Sequence, residues 1–258
     1  MEPGTKKTAL ITGASEGLGR AFASQLAKAG YNTLCIARNE SRLKELVNEL
    51  GDNHRYLVAD LSELRGIDAC IALMQEQHIA LLVNNAGFSQ FGTFREADIE
   101  HEMAVFHVNC HTVMRLSHAF LQQARAGDAL INLSSITHYL TTPVQPTYCA
   151  TKCFIASFSE SLWYQERKRD VYVQALLPGI TKTQFMARAS NIEGFKMKLL
   201  DFISKTPESV VACSLKACDR RKKPIVIPGI SNRLLALVLR LLPRKAIVWT
   251  LGKIGDLA

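Results

Sequence analysis

The stretch ALITGASEGLGRAFA, residues 9–23, decides how the rest of the chain is read. It opens on a short apolar run, passes through Gly13, Gly17 and Gly19 at the spacing G-x-x-x-G-x-G, and resumes with helical periodicity. Glycines let a backbone turn tightly and approach a pyrophosphate, and the helix that follows offers unpaired N–H groups and the positive end of its dipole. A structural turn is the bland reading of such a loop taken alone. Its place after the first strand of an alternating chain favours the phosphate-binding one.

Working outward, short apolar runs alternate with longer helical segments. Strands are expected at Thr8–Thr12, Thr33–Ala37, Tyr56–Ala59, Leu81–Asn84, Leu130–Leu133, Tyr172–Leu177 and Ile225–Ile227. Several are almost wholly apolar, as in a parallel sheet covered on both faces. Helices ending at Gly30 and Gly51 have a C-capping glycine. Two long helices are expected over Ala97–Arg125 and Thr147–Lys168. The alternation predicts an α/β, single-domain, doubly wound parallel sheet of about seven strands. Residues 1–230 form this domain and residues 231–258 an apolar, basic, amphipathic helical tail.

The bulk properties fit that picture. The 258 residues are 48% hydrophobic and 21% charged, an ordinary globular balance. The seven cysteines form no Cys-x-x-Cys or zinc spacing and read as reduced thiols of a cytoplasmic protein. The chain enters its first strand at once, so no signal peptide is expected. The net charge of +8 sits in the tail, where residues 220–258 hold nine Lys or Arg and only Asp256 as an acid. Charge confined to a tail does not make a groove-reading element, so nucleic acid is not an expected partner.

Further motifs follow in order. ADL lies at Ala59–Leu61, NNAG at Asn84–Gly87, Asn109 in FHVNCH, Ser135 thirteen residues before Tyr148, Lys152 four beyond it, and PGITKT at Pro178–Thr183. With TGASEGLG they resemble the short-chain dehydrogenase/reductase family over residues 6–230, in the subgroup near hydroxysteroid and ketoacyl reductases. The resemblance implies a Rossmann fold and four catalytic positions: Asn109, Ser135, Tyr148 and Lys152. It also implies a nicotinamide cofactor touching Gly13, Ser15, Glu16, Gly17, Leu18 and Gly19 in the loop. Arg38, Asp60 and Leu61 meet its adenosine end, Asn85, Ala86 and Gly87 line the cleft, and Pro178, Gly179, Ile180, Thr181 and Thr183 close over the nicotinamide beside Tyr148 and Lys152.

The chemistry of these residues agrees with that assignment. On a helix, Tyr148 and Lys152 share a face. An ammonium beside a phenol lowers its pKa, so Tyr148 is expected to pass a proton to or from a carbonyl or alcohol oxygen. Ser135 donates a hydrogen bond to that oxygen, Lys152 binds ribose hydroxyls, and Asn109 positions a water between Lys152 and solvent. The bland alternatives are a packed tyrosine, serines ending a strand, and an asparagine bonding a neighbouring carbonyl. Cys110, Cys149 and Cys153 read as small buried side chains, and His107, His111 and His138 have no metal-ligand spacing.

After the second strand stands Arg38, with no carboxylate until Glu40. A guanidinium suits a 2′-phosphate, and Ser15 adds a hydroxyl, which favours NADP(H) over NAD(H). An Arg38 that only stacked on adenine would serve either. The cleft is expected from Phe88–Phe94, Thr137–Gln145 and the stretch from Gly179 to about Leu200, whose Phe185, Met186, Phe195, Met197 and Leu199 fit a lid over a lipophilic carbonyl or alcohol. A non-catalytic NADP(H)-binding sensor or scaffold is the rival reading. The resemblance further implies that the two long helices pair copies of the chain, and a homodimer or homotetramer is expected. The tail reads as packing on the domain or as a peripheral contact with anionic membrane.

Overall fold

In a computed structural model, residues 6–182 and 204–256 are described, with side chains of the last helix only as far as Lys253. Seven parallel strands form one sheet: β1 Thr8–Thr12, β2 Asn32–Ala37, β3 Arg55–Val58, β4 Leu81–Asn84, β5 Ala129–Leu133, β6 Tyr172–Leu176 and β7 Ile225–Val226. Their order is β3-β2-β1-β4-β5-β6-β7. The strand order therefore reverses between β1 and β4, and an open sheet of this kind leaves a crevice at the carboxyl ends of those two strands.

Around the sheet lie α1 Gly17–Lys28, α2 Glu40–Leu50, α3 Leu64–Glu76, α4 Ile99–Phe106, α5 Thr112–Gln123, α6 Pro146–Glu166 and α7 Pro207–Arg220. Helices α8 Ile230–Leu241 and α9 Arg244–Asp256 follow β7. Phe22, Leu26, Leu43, Leu46, Val210 and Val211 from α1, α2 and α7 pack on one face of the sheet. Ile67, Cys70, Met74, Leu116 and Phe120 from α3 and α5 pack on the other. Strands β4, β5 and β6 are buried throughout, which is why their sequences are runs rather than alternations.

The expected elements are found, with ends shifted by one or two residues and one long helix divided. Strand β3 begins and ends one residue early, as an edge strand whose terminal residues are exposed. The helix expected over Ala97–Arg125 starts at Ile99, where Asp98 accepts from the Glu100 N–H, and a π-helical turn at His107–His111 divides it. The helix expected from Thr147 starts at Pro146, whose missing N–H costs nothing in a first turn. Gly30 and Gly51 terminate their helices at φ +87° and +89°. No helix among the described residues is long and apolar enough to cross a membrane.

Candidate active site

The glycine loop follows β1 at the point where the strand order reverses. Gly13 and Gly17 take φ +64° and +54°, conformations that favour glycine. A Cβ on Gly19 would stand 2.1 Å from the Gly13 carbonyl oxygen, and one on Gly13 would stand 2.8 Å from Asn85 Nδ2. The loop is tied to the end of β4. Asn85 Nδ2 donates to the carbonyls of Thr12 at 2.8 Å and Gly13 at 3.1 Å, while Thr12 Oγ1 accepts from the N–H groups of Asn85 and Ala86 at 3.0 Å each. No side chain caps α1 at Glu16, and its first turn holds no acid. The first-turn amides and the glycine cradle fit a dinucleotide's phosphates.

Past the end of β2, Arg38 reaches Asp60 at 3.8 Å but stays three-quarters exposed. Burial works against the Asp60 carboxylate. Two bonds from Ser62 and the Arg38 charge outweigh it and hold its pKa below the ordinary value. Leu61 is buried, its carbonyl accepting from Thr112 Oγ1 at 2.7 Å. A second guanidinium, unrecognised in the sequence, stands close by: Arg42 pairs with the Glu16 carboxylate. Its signal was its place in the first turn of the helix after Arg38. Glu16 is thus a partner of Arg42 as well as a loop residue.

Ser135 lies two residues past the end of β5, and Tyr148 and Lys152 lie one turn apart on α6. The Ser135 and Tyr148 side chains are hydrogen-bonded to each other. Lys152 Nζ stands 5.4 Å from the centre of the Tyr148 ring and donates to the Leu133 carbonyl at 2.9 Å. Ser134, by contrast, is spent on structure, donating to the Lys152 carbonyl at 2.7 Å. Gly87 lets the end of β4 close on this group: a Cβ there would stand 2.8 Å from Asn109 Oδ1 and 3.5 Å from Lys152 Nζ.

The titration of Tyr148 differs from the expectation. Burial pushes its pKa up to about 12, only partly opposed by the Ser135 hydrogen bond. Burial likewise lowers Lys152 to about 8. The Lys152 Nζ is committed to the Leu133 carbonyl and stands over the tyrosine ring, and burial sets the direction of both shifts. Tyr148 as a whole remains partly accessible, at the wall of the cleft.

Asn109 sits in the π-helical turn and is buried. Its Oδ1 accepts from Phe88 N–H at 3.1 Å, and its Nδ2 donates to the Phe88 carbonyl at 3.0 Å and Thr151 Oγ1 at 3.1 Å. These bonds match the bland reading of a buried amide and position the loop after β4. An unforeseen polar line lies deeper: Asn84 Nδ2 donates to Asn132 Oδ1 at 2.9 Å, and Asn132 Nδ2 to Ser159 Oγ at 3.0 Å. It ties β4 and β5 to α6 below the catalytic positions.

The segment after β6 closes the far side. The Pro178 carbonyl accepts from Ile136 N–H at 3.0 Å, and Thr181 Oγ1 donates to the Gly179 carbonyl at 3.1 Å. Residues 180–182 run beside Lys205 through backbone hydrogen bonds. Asn232 of α8, also unforeseen, lies against Gly179, 2.6 Å from where a Cβ would be. Thr183 and the expected lid residues Phe185, Met186, Phe195, Met197 and Leu199 lie outside the described residues. Among the described residues no group of His, Cys, Asp or Glu is arranged to hold a metal.

A glycine cradle at a strand-order reversal, beside a serine, tyrosine and lysine, defines a Rossmann protein of the nicotinamide-dependent class. The sequence pattern of the short chain dehydrogenase family matches residues 7–193. The chain belongs to that family of oxidoreductases. It is 31% identical over 209 residues to a 7beta-hydroxysteroid dehydrogenase of Mediterraneibacter gnavus, covering 78% of this chain and 79% of that one. It is 29% identical over 193 residues to hydroxysteroid dehydrogenase-like protein 1 of Gallus gallus, covering 69% of this chain but 57% of the chicken protein. In structure it resembles a short-chain dehydrogenase from Sphingobium yanoikuyae in complex with NADPH, with a TM-score of 0.78, 28% identity and coverage of 92% and 97%.

Proposed function

We propose that the protein is an NADP(H)-dependent oxidoreductase that interconverts the carbonyl and alcohol forms of a lipophilic small molecule. The observation that carries this reading is the meeting of Ser135, Tyr148 and Lys152 beside the glycine cradle. A sensor or scaffold needs the cradle but not those three side chains. The nicotinamide, when bound, supplies or accepts the hydride. Ser135 holds the substrate oxygen by a hydrogen bond, and Tyr148 delivers its hydroxyl proton to that oxygen during reduction. Burial keeps the Tyr148 hydroxyl protonated at neutral pH, the form that can donate to the substrate oxygen. Lys152 borders the cleft where ribose hydroxyls would lie, and Asn109 fixes the loop beside it.

The cofactor preference rests on charge. Arg38 and Arg42 are each paired with one carboxylate, Asp60 and Glu16, and of the two Arg38 is the looser, 74% exposed and 3.8 Å from its partner. A 2′-phosphate would draw on the Arg38 guanidinium in place of that long contact. The NADPH complex of the Sphingobium relative supports this reading, and the hydroxysteroid name of the bacterial relative supports a lipophilic substrate. Exposed Ile99, Met103 and Phe106 form a stripe along α4, the apolar surface a homodimer or homotetramer would cover. A cytoplasmic location agrees with seven free thiols.

The test follows NADPH or NADH absorbance with a panel of steroid, acyl and aryl ketones. NADPH is expected to give the higher kcat/KM. Tyr148→Phe is expected to lower turnover by about a thousandfold or more with NADPH affinity retained. Full turnover in Tyr148→Phe would overturn the mechanism, and a preference for NADH would overturn the cofactor assignment.

A further inference from the structure

Helix α8 turns its apolar side away from the protein. Asn232 and Ala236 are its buried residues, yet Ile230, Leu234, Leu237, Val238 and Leu241 are each more than half exposed. These five recur at i, i+4, i+7, i+8 and i+11 and make one outward stripe. The stripe carries no charge. Arg233 turns back to donate to the Ile227 carbonyl at 2.8 Å, and the Arg240 guanidinium lies 5.9 Å from the Tyr139 ring. Beyond the Pro243 break, α9 adds Trp249, 64% exposed, with Lys253 Nζ 3.8 Å from its ring centre. Arg244 and Lys245 are exposed in the first turn of α9.

We propose that the outer face of α8 and α9 docks the protein on an anionic lipid surface. The argument for lipid is charge complementarity around an apolar plate. Helices α8 and α9 carry Arg233, Arg240, Arg244, Lys245 and Lys253 against Asp256 as their one acid. An amphipathic basic helix with an aromatic residue at its edge fits the headgroup boundary. A second copy fits less well, because a twofold contact would bring the same cationic rim against itself.

The plate also adjoins the cleft. Arg244 Nη2 reaches Thr141 Oγ1 at 3.4 Å, Val248, Trp249, Gly252 and Lys253 border a hollow with Pro143, and Asn232 presses on Gly179. Docked lipid would therefore lie beside the segments that follow Ser135 and β6. Delivery of a lipophilic substrate from the membrane rests on the oxidoreductase reading; the docking itself does not.

The experiment is sedimentation of the full chain with phosphatidylcholine vesicles and with phosphatidylcholine–phosphatidylglycerol vesicles. A shift into the pellet is expected with the anionic vesicles alone, reversed by high salt. Tryptophan emission should move to the blue on binding, and Trp249→Phe should remove that change while Trp163 remains. The combined variant Leu234→Glu, Leu237→Glu and Leu241→Glu should bind at least tenfold more weakly while its circular dichroism and NADPH affinity match the parent. Recovery of the parent in the supernatant with both vesicle types overturns the proposal. So does a variant that still sediments, or one whose change is the loss of a dimer. Vesicle binding without turnover of any ketone would retain the docking surface and overturn the catalytic reading.

Discussion

Helices α1 and α8 are each 12 residues long, and the one richer in large apolar side chains buries fewer of them. Helix α1 encloses Gly19, Ala21, Phe22, Ala23 and Leu26 against the sheet. Helix α8 encloses Asn232 and Ala236 and leaves its leucines outside. Apolar content alone therefore does not set burial; the surface that a helix meets does. In α1 the small residues permit close approach to the glycine loop, and Phe22 and Leu26 fill the space behind it. In α8 an amide faces inward, donating to the Pro228 carbonyl at 2.8 Å, and the apolar side is left for another partner.

The largest effect separating the two helices is expected at Phe22, which is fully buried. Phe22→Ala removes a ring from a close-packed core and should cost about 3–5 kcal/mol in urea unfolding. A cost below about 1 kcal/mol would mean that α1 is not anchored as described.

The next effect sharpens what α1 does for the site. A Cβ at Gly19 meets backbone, the Gly13 carbonyl oxygen, rather than a side chain that could swing away. Gly19→Ala must push the helix from the loop. A loss of about 1–3 kcal/mol is expected from overpacking, with NADPH affinity falling at least tenfold by titration. Unchanged affinity would separate the cradle from cofactor binding and break the link between fold and function.

The two helices also differ in how legible they were. The glycine spacing, the apolar strands and the motif order were all readable, because a buried parallel strand and a phosphate loop each impose a local pattern. The register of α8 was not: eight of its 12 positions are apolar, six of them in the run Leu234–Leu239, so periodicity could not tell inside from outside, and the one amide within the helix is buried. The π-helical turn holding Asn109 leaves no compositional trace, since one extra residue per turn is a matter of packing. Arg42 carries no loop or strand-end signal of its own, and only the packing of α2 beside the glycine loop brings its guanidinium to Glu16. The titration of Tyr148 is set first by its burial, which sequence spacing does not encode, any more than it encodes the Leu133 carbonyl that takes the Lys152 Nζ.

The smallest effect is expected where the sequence looks most hydrophobic. Leu237 is 56% exposed on the outward stripe, so truncating it opens no cavity. Little of the usual core cost of a leucine should appear, because the methyl groups removed are in contact with water in the folded chain as in the unfolded one. Leu237→Ala should therefore change unfolding free energy by no more than about 0.5 kcal/mol when vesicles are absent. A cost of about 2 kcal/mol or more would show that the stripe is covered in the protein alone, by a second copy or by its own chain, and would make α8 a core helix like α1. Run at several protein concentrations, the same measurement separates those two coverings, since only a second copy makes the midpoint rise with concentration.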